Sequence, residues 1–172
     1  DFAKAVLKTV GDQHLADWTL LQLVWKDETV TIESKAEIAA RLSTSERHHA
    51  QAQWTMGRIY EVAGNYKQAI NAYYASNKGT EMGYAAARCY MQSGSLSKAI
   101  SELAGIETLS KEEAPKAAMV QAKYYDKSGK AEQRNATLKR ILKTYKDSDA
   151  ASKAHVWAEK LELPFVGGEQ ID

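Results

Sequence analysis

Any chemistry in this sequence would have to come from its four histidines, its single cysteine or a few neighbouring acids. His48 and His49 are adjacent, so on a helix their rings point about 100° apart and cannot clamp one metal ion from a single face. No HExxH, CxxC or carboxylate cluster accompanies them. His14 and His155 have no recognisable nucleophile partner, and solvated or packed roles are expected for both. Cys89 lies among Ala86, Ala87 and Met91, where a small buried hydrophobe is expected. Gly167-Gly168 lacks the Lys-Ser/Thr and the helix start of a phosphate loop. Glu112-Glu113 reads as favourable charge at a helix N-terminus and not as an acid–base pair. Nucleophile, base and anion hole do not assemble, so the sequence predicts no catalytic site, no metal and no other cofactor.

The elements that position these residues are helical. Only two prolines occur, against many Ala, Lys, Glu, Gln and Leu, which favours helix interiors over strands and turns. Self-similarity is the main signal. One copy reads Gly57, Tyr60, Gly64-Asn65-Tyr66, Ala69-Ile70 and Tyr73. The next reads Ala87, Tyr90, Gly94-Ser95-Leu96, Ala99-Ile100 and Leu103. A third reads Ala122, Tyr125, Gly129-Lys130-Ala131, Leu138 and Ile141. Each has a small residue where helices touch, an aromatic one turn later, a glycine that ends the helix, and a second amphipathic helix. One such pair cannot cover its own apolar face, so copies must stack.

These residues resemble the tetratricopeptide repeat family, best between Ala50 and Gly79, with Trp54 one residue past the usual tryptophan site and Arg134 where the family prefers alanine. The resemblance implies an all-α, right-handed α-solenoid of antiparallel helix pairs. Residues 1–163 are expected to form one domain: degenerate helices over 1–49, repeats over 50–79, 80–113 and 114–147, and a capping helix over 148–163. An irregular tail is expected over 164–172. Helices are predicted at 2–10, 12–26, 33–43, 45–63, 66–76, 80–93, 96–104, 111–128, 130–145 and 148–162. Thr44 or Ser45, Ser110, and Asp147 or Ser148 are the candidate N-caps. Trp18, Leu21 and Trp25 mark one upstream helix face, and Ile38, Ala39 and Leu42 a second. Phe2, Val6, Leu7 and Val10 form a lone amphipathic helix, which suggests a chain that begins partway through a longer array.

In this family the first helix of each pair lines a concave surface. Its fifth position falls on Trp54, Tyr84 and Met119 and its ninth on Arg58, Arg88 and Lys123, with Met91 and Gln51 alongside. Positions four apart share a helix face. The resemblance therefore implies a groove with an apolar row beside a basic row, suited to a protein or peptide segment carrying apolar and acidic side chains. Two blander roles stand beside this one. Arg58 could pair with Glu61 and Arg88 with Glu81 or solvent, and Trp54 and Tyr84 could pack inside neighbouring repeats.

A net charge of +1, with bases interleaved among acids, offers no field for nucleic acid. No stretch approaches the roughly 18 to 20 apolar residues of a bilayer span. The segment Tyr145-Lys146-Asp147-Ser148 looks like a YPDS-type link of bacterial cell-envelope repeats, which implies a periplasmic or envelope setting. The expected function is a non-enzymatic scaffold that binds a partner protein. The alternatives are the recognition or regulatory part of a larger enzyme, and a scaffold that self-assembles through its N-terminal helices.

Overall fold

The computed structural model of the chain describes residues 17, 18, 20–22 and 26–166. Among the described residues every regular element is helical and no strand forms, as the composition predicts. After helical residues 17, 18 and 20–22 come α1 (Ile32–Leu42), α2 (His49–Val62), α3 (Tyr66–Ala75) and α4 (Thr80–Gln92). They are followed by α5 (Leu96–Leu109), α6 (Ala114–Lys127), α7 (Ala131–Thr144), α8 (Asp149–Lys160) and a 3-10 turn at Pro164–Val166. The expected helix over 2–10, its role in self-assembly, Trp25, His14 and Gly167-Gly168 lie outside the described residues.

The three glycine corners are made identically. At Gly64, Gly94 and Gly129 the backbone enters the left-handed region, with φ of +76°, +79° and +67°. The residue after each glycine donates its N–H to a carbonyl five residues back: Asn65 to Tyr60 at 2.8 Å, Ser95 to Tyr90 at 2.8 Å, and Lys130 to Tyr125 at 2.9 Å. Each glycine N–H closes the inner bond, to Glu61, Met91 and Asp126 at 3.0, 3.2 and 3.0 Å. This is the Schellman closure, which satisfies carbonyls the helix end would otherwise leave bare. A fourth copy, without glycine, ends α8: Glu162 holds φ +53°, Leu163 donates to Ala158 at 3.1 Å and Glu162 to Glu159 at 2.9 Å.

The chain divides into two compact units, Asp1–Cys89 and Tyr90–Asp172. In the first, α1 packs on α2 and α2 on α3. Ile38, Ala39 and Leu42 supply the predicted inward face of α1 and meet Leu21, Ala52 and Ile59, with Trp18, Ile32 and Met56 at the edge. In the second, α5 packs on α6, α6 on α7, and α8 on both α6 and α7. Its core is Ala118, Met119, Ala122, Leu138, Ile141, Ala150, Ala151 and Ala154. Alanines at the helix contacts let backbones approach, while Leu138 and Ile141, both fully buried, each contribute about 1.5–3 kcal/mol of transfer free energy.

Boundaries differ from expectation where side chains find other partners. The α2 helix starts at His49 and not near 45, because the intervening hydroxyls close α1 instead: Ser43 and Thr44 donate to the carbonyls of Ala40 and Arg41, each at 2.7 Å. Ser110 does accept from the Glu113 N–H at 3.2 Å, but that turn precedes α6, which begins at Ala114. Ser148 caps α8, accepting from the Ala151 N–H at 3.2 Å. Helix α5 runs to Leu109, past the expected end at 104, because the extra turn buries Ile106 and delivers Glu107 to an ion pair. Residues 164–166 are not irregular: the 3-10 turn lays Phe165, with Leu163, against the second core.

Candidate functional site

The first half of α6 and the start of α8 enclose a cleft of about 490 Å³. Pro115 sits in the first turn of α6, where its missing N–H leaves no bond unmade. Successive turns then bring Met119, Val120 and Lys123 to the cleft, and Ser148, Asp149, Ala150 and Lys153 approach from α8. Met119 forms part of the floor, 6% exposed and packed in the core. Lys123 is exposed, and among the described residues neither it nor Lys153 makes an ion pair, whereas Lys116 lies 3.0 Å from Glu113. With Glu112 and Asp149 as its acids, the cleft carries three cations against two carboxylates around an apolar base.

The fifth- and ninth-position residues of the first unit are placed differently. Trp54 is half-buried against Tyr73, ring centroids 4.9 Å apart and planes tilted 58°, and Lys78 Nζ stands 5.2 Å from its ring. This packing lies within the expected repeat 50–79 and not in a neighbouring one. Lys78 also donates to Gln51 Oε1 at 2.8 Å. Tyr84 and Met91 are half-buried, and neither lines the α6–α8 cleft. Arg58 is exposed and opens onto a separate cleft beside Lys26 and Lys35. Arg88 is held by Glu61 and not by Glu81, donating from Nε to Oε1 at 2.5 Å and from Nη2 to Oε2 at 2.8 Å. Of the expected rows, Met119 and Lys123 share the α6–α8 cleft.

Arg88 belongs to a carboxylate knot that has a counterpart in the second unit. Tyr73 Oη donates to Glu61 Oε2 at 2.6 Å, so Glu61 joins α2 to α3 and α4. In the second unit Glu107 accepts from Tyr145 Oη at 2.6 Å and from Gln121 Nε2 at 2.9 Å, and pairs with Arg140, joining α5 to α6 and to the end of α7. Burial by itself would raise both carboxyls; hydrogen bonds from the arginine and tyrosine, with the nearby positive charge, outweigh it and hold both below the usual value. The same surroundings push the Tyr145 phenol up to about 12, first by burial and then by its bond to Glu107. A third carboxylate, Asp17, itself buried, takes a forked pair from Arg41 at 2.8 and 3.1 Å. No sequence signal marks these pairings beyond the acid and base themselves.

The other candidates have structural partners. His48 stacks on Trp18 at 6.2 Å, His49 Nδ1 lies 2.7 Å from the Ser43 carbonyl, and His155 Nε2 lies 3.3 Å from Glu159. The adjacent pair thus diverges to different neighbours. Among the described residues no group of three or more His, Cys, Asp or Glu side chains could hold a metal ion. Cys89 is fully buried; desolvation, then the charge of Glu61, pushes its thiol up to about 12, with Arg88 acting in opposition. Arg134, the departure from the expected alanine, reaches back from α7 to Asp126 at 2.6 Å and keeps its own side chain 14% exposed. No helix among the described residues is long and apolar enough to cross a membrane. No family model matches the chain, and no curated protein is significantly similar to it.

Proposed function

We propose that the chain is a non-enzymatic interaction module, a tetratricopeptide-like right-handed solenoid of antiparallel helix pairs that holds a segment of a partner protein. The observation that carries this reading is the α6–α8 cleft, where Met119 and Val120 form an apolar base and Lys123 and Lys153 stand unpaired, among the described residues, at the rim. A segment that alternates apolar and acidic side chains satisfies both features. Three equivalent glycine corners support the repeat reading, because each starts a new helix with the same turn. A bacterial envelope setting is proposed on the Tyr145–Ser148 link, whose tyrosine bonds Glu107 and whose serine caps α8.

The test is a peptide array probed with the purified chain, using segments that pair Leu or Phe with Asp or Glu at varied spacing. Acidic-apolar peptides should be retained at low salt and lost with the Lys123→Glu, Lys153→Glu double variant. Retention unchanged by the double variant, or equal retention of neutral peptides, rejects the cleft as the binding site.

A further inference from the structure

Lys153 stands at the rim of the α6–α8 cleft and also lines a second groove, of about 390 Å³, along α8. Ser152, Val156, Trp157 and Lys160 line it with Lys153. Positions 153, 156, 157 and 160 follow the i, i+3, i+4, i+7 spacing of one helix stripe, while the same helix buries Ala150, Ala151, Ala154 and Ala158. Val156 is 51% exposed, and Trp157 is half-buried against the second core. Lys153 and Lys160 bracket this apolar pair, and among the described residues neither makes an ion pair. Glu159, next to Lys160 in the chain, lies 3.3 Å from His155 Nε2 instead.

We propose that an acidic amphipathic helix of a partner protein lies along α8, with two carboxylates seven residues apart set against Lys153 and Lys160 and apolar side chains between them on Val156 and Trp157. This rests on the protein-binding reading of the α6–α8 cleft, and it gives the segment held there a conformation and a register. Seven residues of α8 rise about 10.5 Å, and carboxylates at i and i+7 of a second helix stand the same distance apart on one face. In a β-strand the side chains of one face recur at about 6.6 and 13 Å, which misses that spacing. A strand would also leave its N–H and C=O groups unmatched, because α8 bonds its own and no sheet edge exists among the described residues. A helix carries its backbone bonds within itself. Partner bases at the two acidic positions are excluded by the like charge of the lysines.

The probe is a capped alanine-rich peptide with two glutamates seven residues apart and leucines three and four residues after the first, titrated into the whole chain while the Val156 methyls and the Trp157 indole N–H are followed by NMR. Saturable shifts at both groups are expected. A peptide of the same composition with its glutamates five residues apart, about 140° round the helix, should bind at least about fivefold more weakly. Lys160→Glu should weaken the first peptide by about fivefold to tenfold, and replacing one of its two glutamates by lysine should restore binding to that variant. Lys160 does not line the α6–α8 cleft, so this loss reports the helix along α8 and not the cleft alone. Equal binding of the two peptides, tighter binding of a proline-rich peptide with the same acids and leucines, no rescue by the lysine exchange, or shifts produced by phosphatidylglycerol vesicles and not by the peptide overturns the proposal. Where such a result accompanies loss of acidic-apolar peptides in the Lys123→Glu, Lys153→Glu variant, the protein-binding reading still stands; without that loss both fall.

Discussion

The ring of Tyr73 occupies the space that a side chain at position 57 would need: a Cβ on Gly57 would stand 2.5 Å from Tyr73 Cδ1 and 2.6 Å from Cε1. Tyr73 is 0% exposed, held by this contact, by Trp54 and by its hydroxyl bond to Glu61. In the second unit the corresponding positions are Ala122 and Leu138, both 0% exposed and members of one core. A smaller filler accompanies the larger helix-contact residue, so the two positions share a fixed volume.

That exchange of volume predicts a coupled pair. Gly57→Ala should destabilise the protein by about 1–3 kcal/mol through overpacking of the tyrosine ring. Adding Tyr73→Leu, which recreates the Ala–Leu combination, should cost less than the sum of the two single changes. Urea unfolding of the four proteins gives the coupling energy. Simple additivity would mean that the ring relaxes elsewhere.

A second prediction concerns acid. Glu61 and Glu107 are held below the usual carboxyl value of 4.5, so each favours the folded state most when ionised. Their contribution is fully present above the unfolded value and fades as pH falls through the lower folded one. Glu61→Gln and Glu107→Gln should each cost about 1–2 kcal/mol at pH 7, the half-exposed arginines limiting the loss. The difference from the wild type should shrink below the carboxyl range. Thermal melts from neutral to acidic pH measure it, and a penalty that persists undiminished in acid would assign the loss to shape alone.

The helix ends supply a third. Glu162 adopts φ +53° in a turn that glycine makes at the three other corners. Glu162→Gly should raise stability by up to about 1 kcal/mol, since the left-handed backbone costs a side-chain residue more than the glycine loses in the unfolded chain. Gly129→Ala should lower it by about 1 kcal/mol at φ +67°, where open space around the position leaves backbone strain as the only cause. Melting temperatures that move in the same direction for both variants would contradict this account.

What could be read from sequence was local. Gly64, Gly94 and Gly129 announce their corners because the left-handed turn is decided by a residue and its immediate neighbours. The corner at Glu162 carries no such mark, since packing of Leu163 and Phe165 holds a residue that would not choose the conformation itself. Met119 and Lys123 were legible as a pair because four residues make one helical turn, but Lys153 joins them from another helix. Arg88 finds Glu61 across 27 residues and Arg41 finds Asp17 across 24, separations at which acid and base offer no choice of partner until the helices dock. Arg134 departs from the repeat pattern for the same reason: its partner Asp126 lies on the preceding helix.

Because Glu61 and Glu107 each accept donors from two further helices, a hairpin is not the smallest piece that can open on its own. Releasing Glu61 strands Tyr73 on α3 and Arg88 on α4, and releasing Glu107 strands Gln121 on α6 with Arg140 and Tyr145 at the end of α7, so native-state amide exchange should lose protection in blocks of three consecutive helices. The fastening is set by two acids and runs at right angles to the order of the chain, so separation proceeds triplet by triplet.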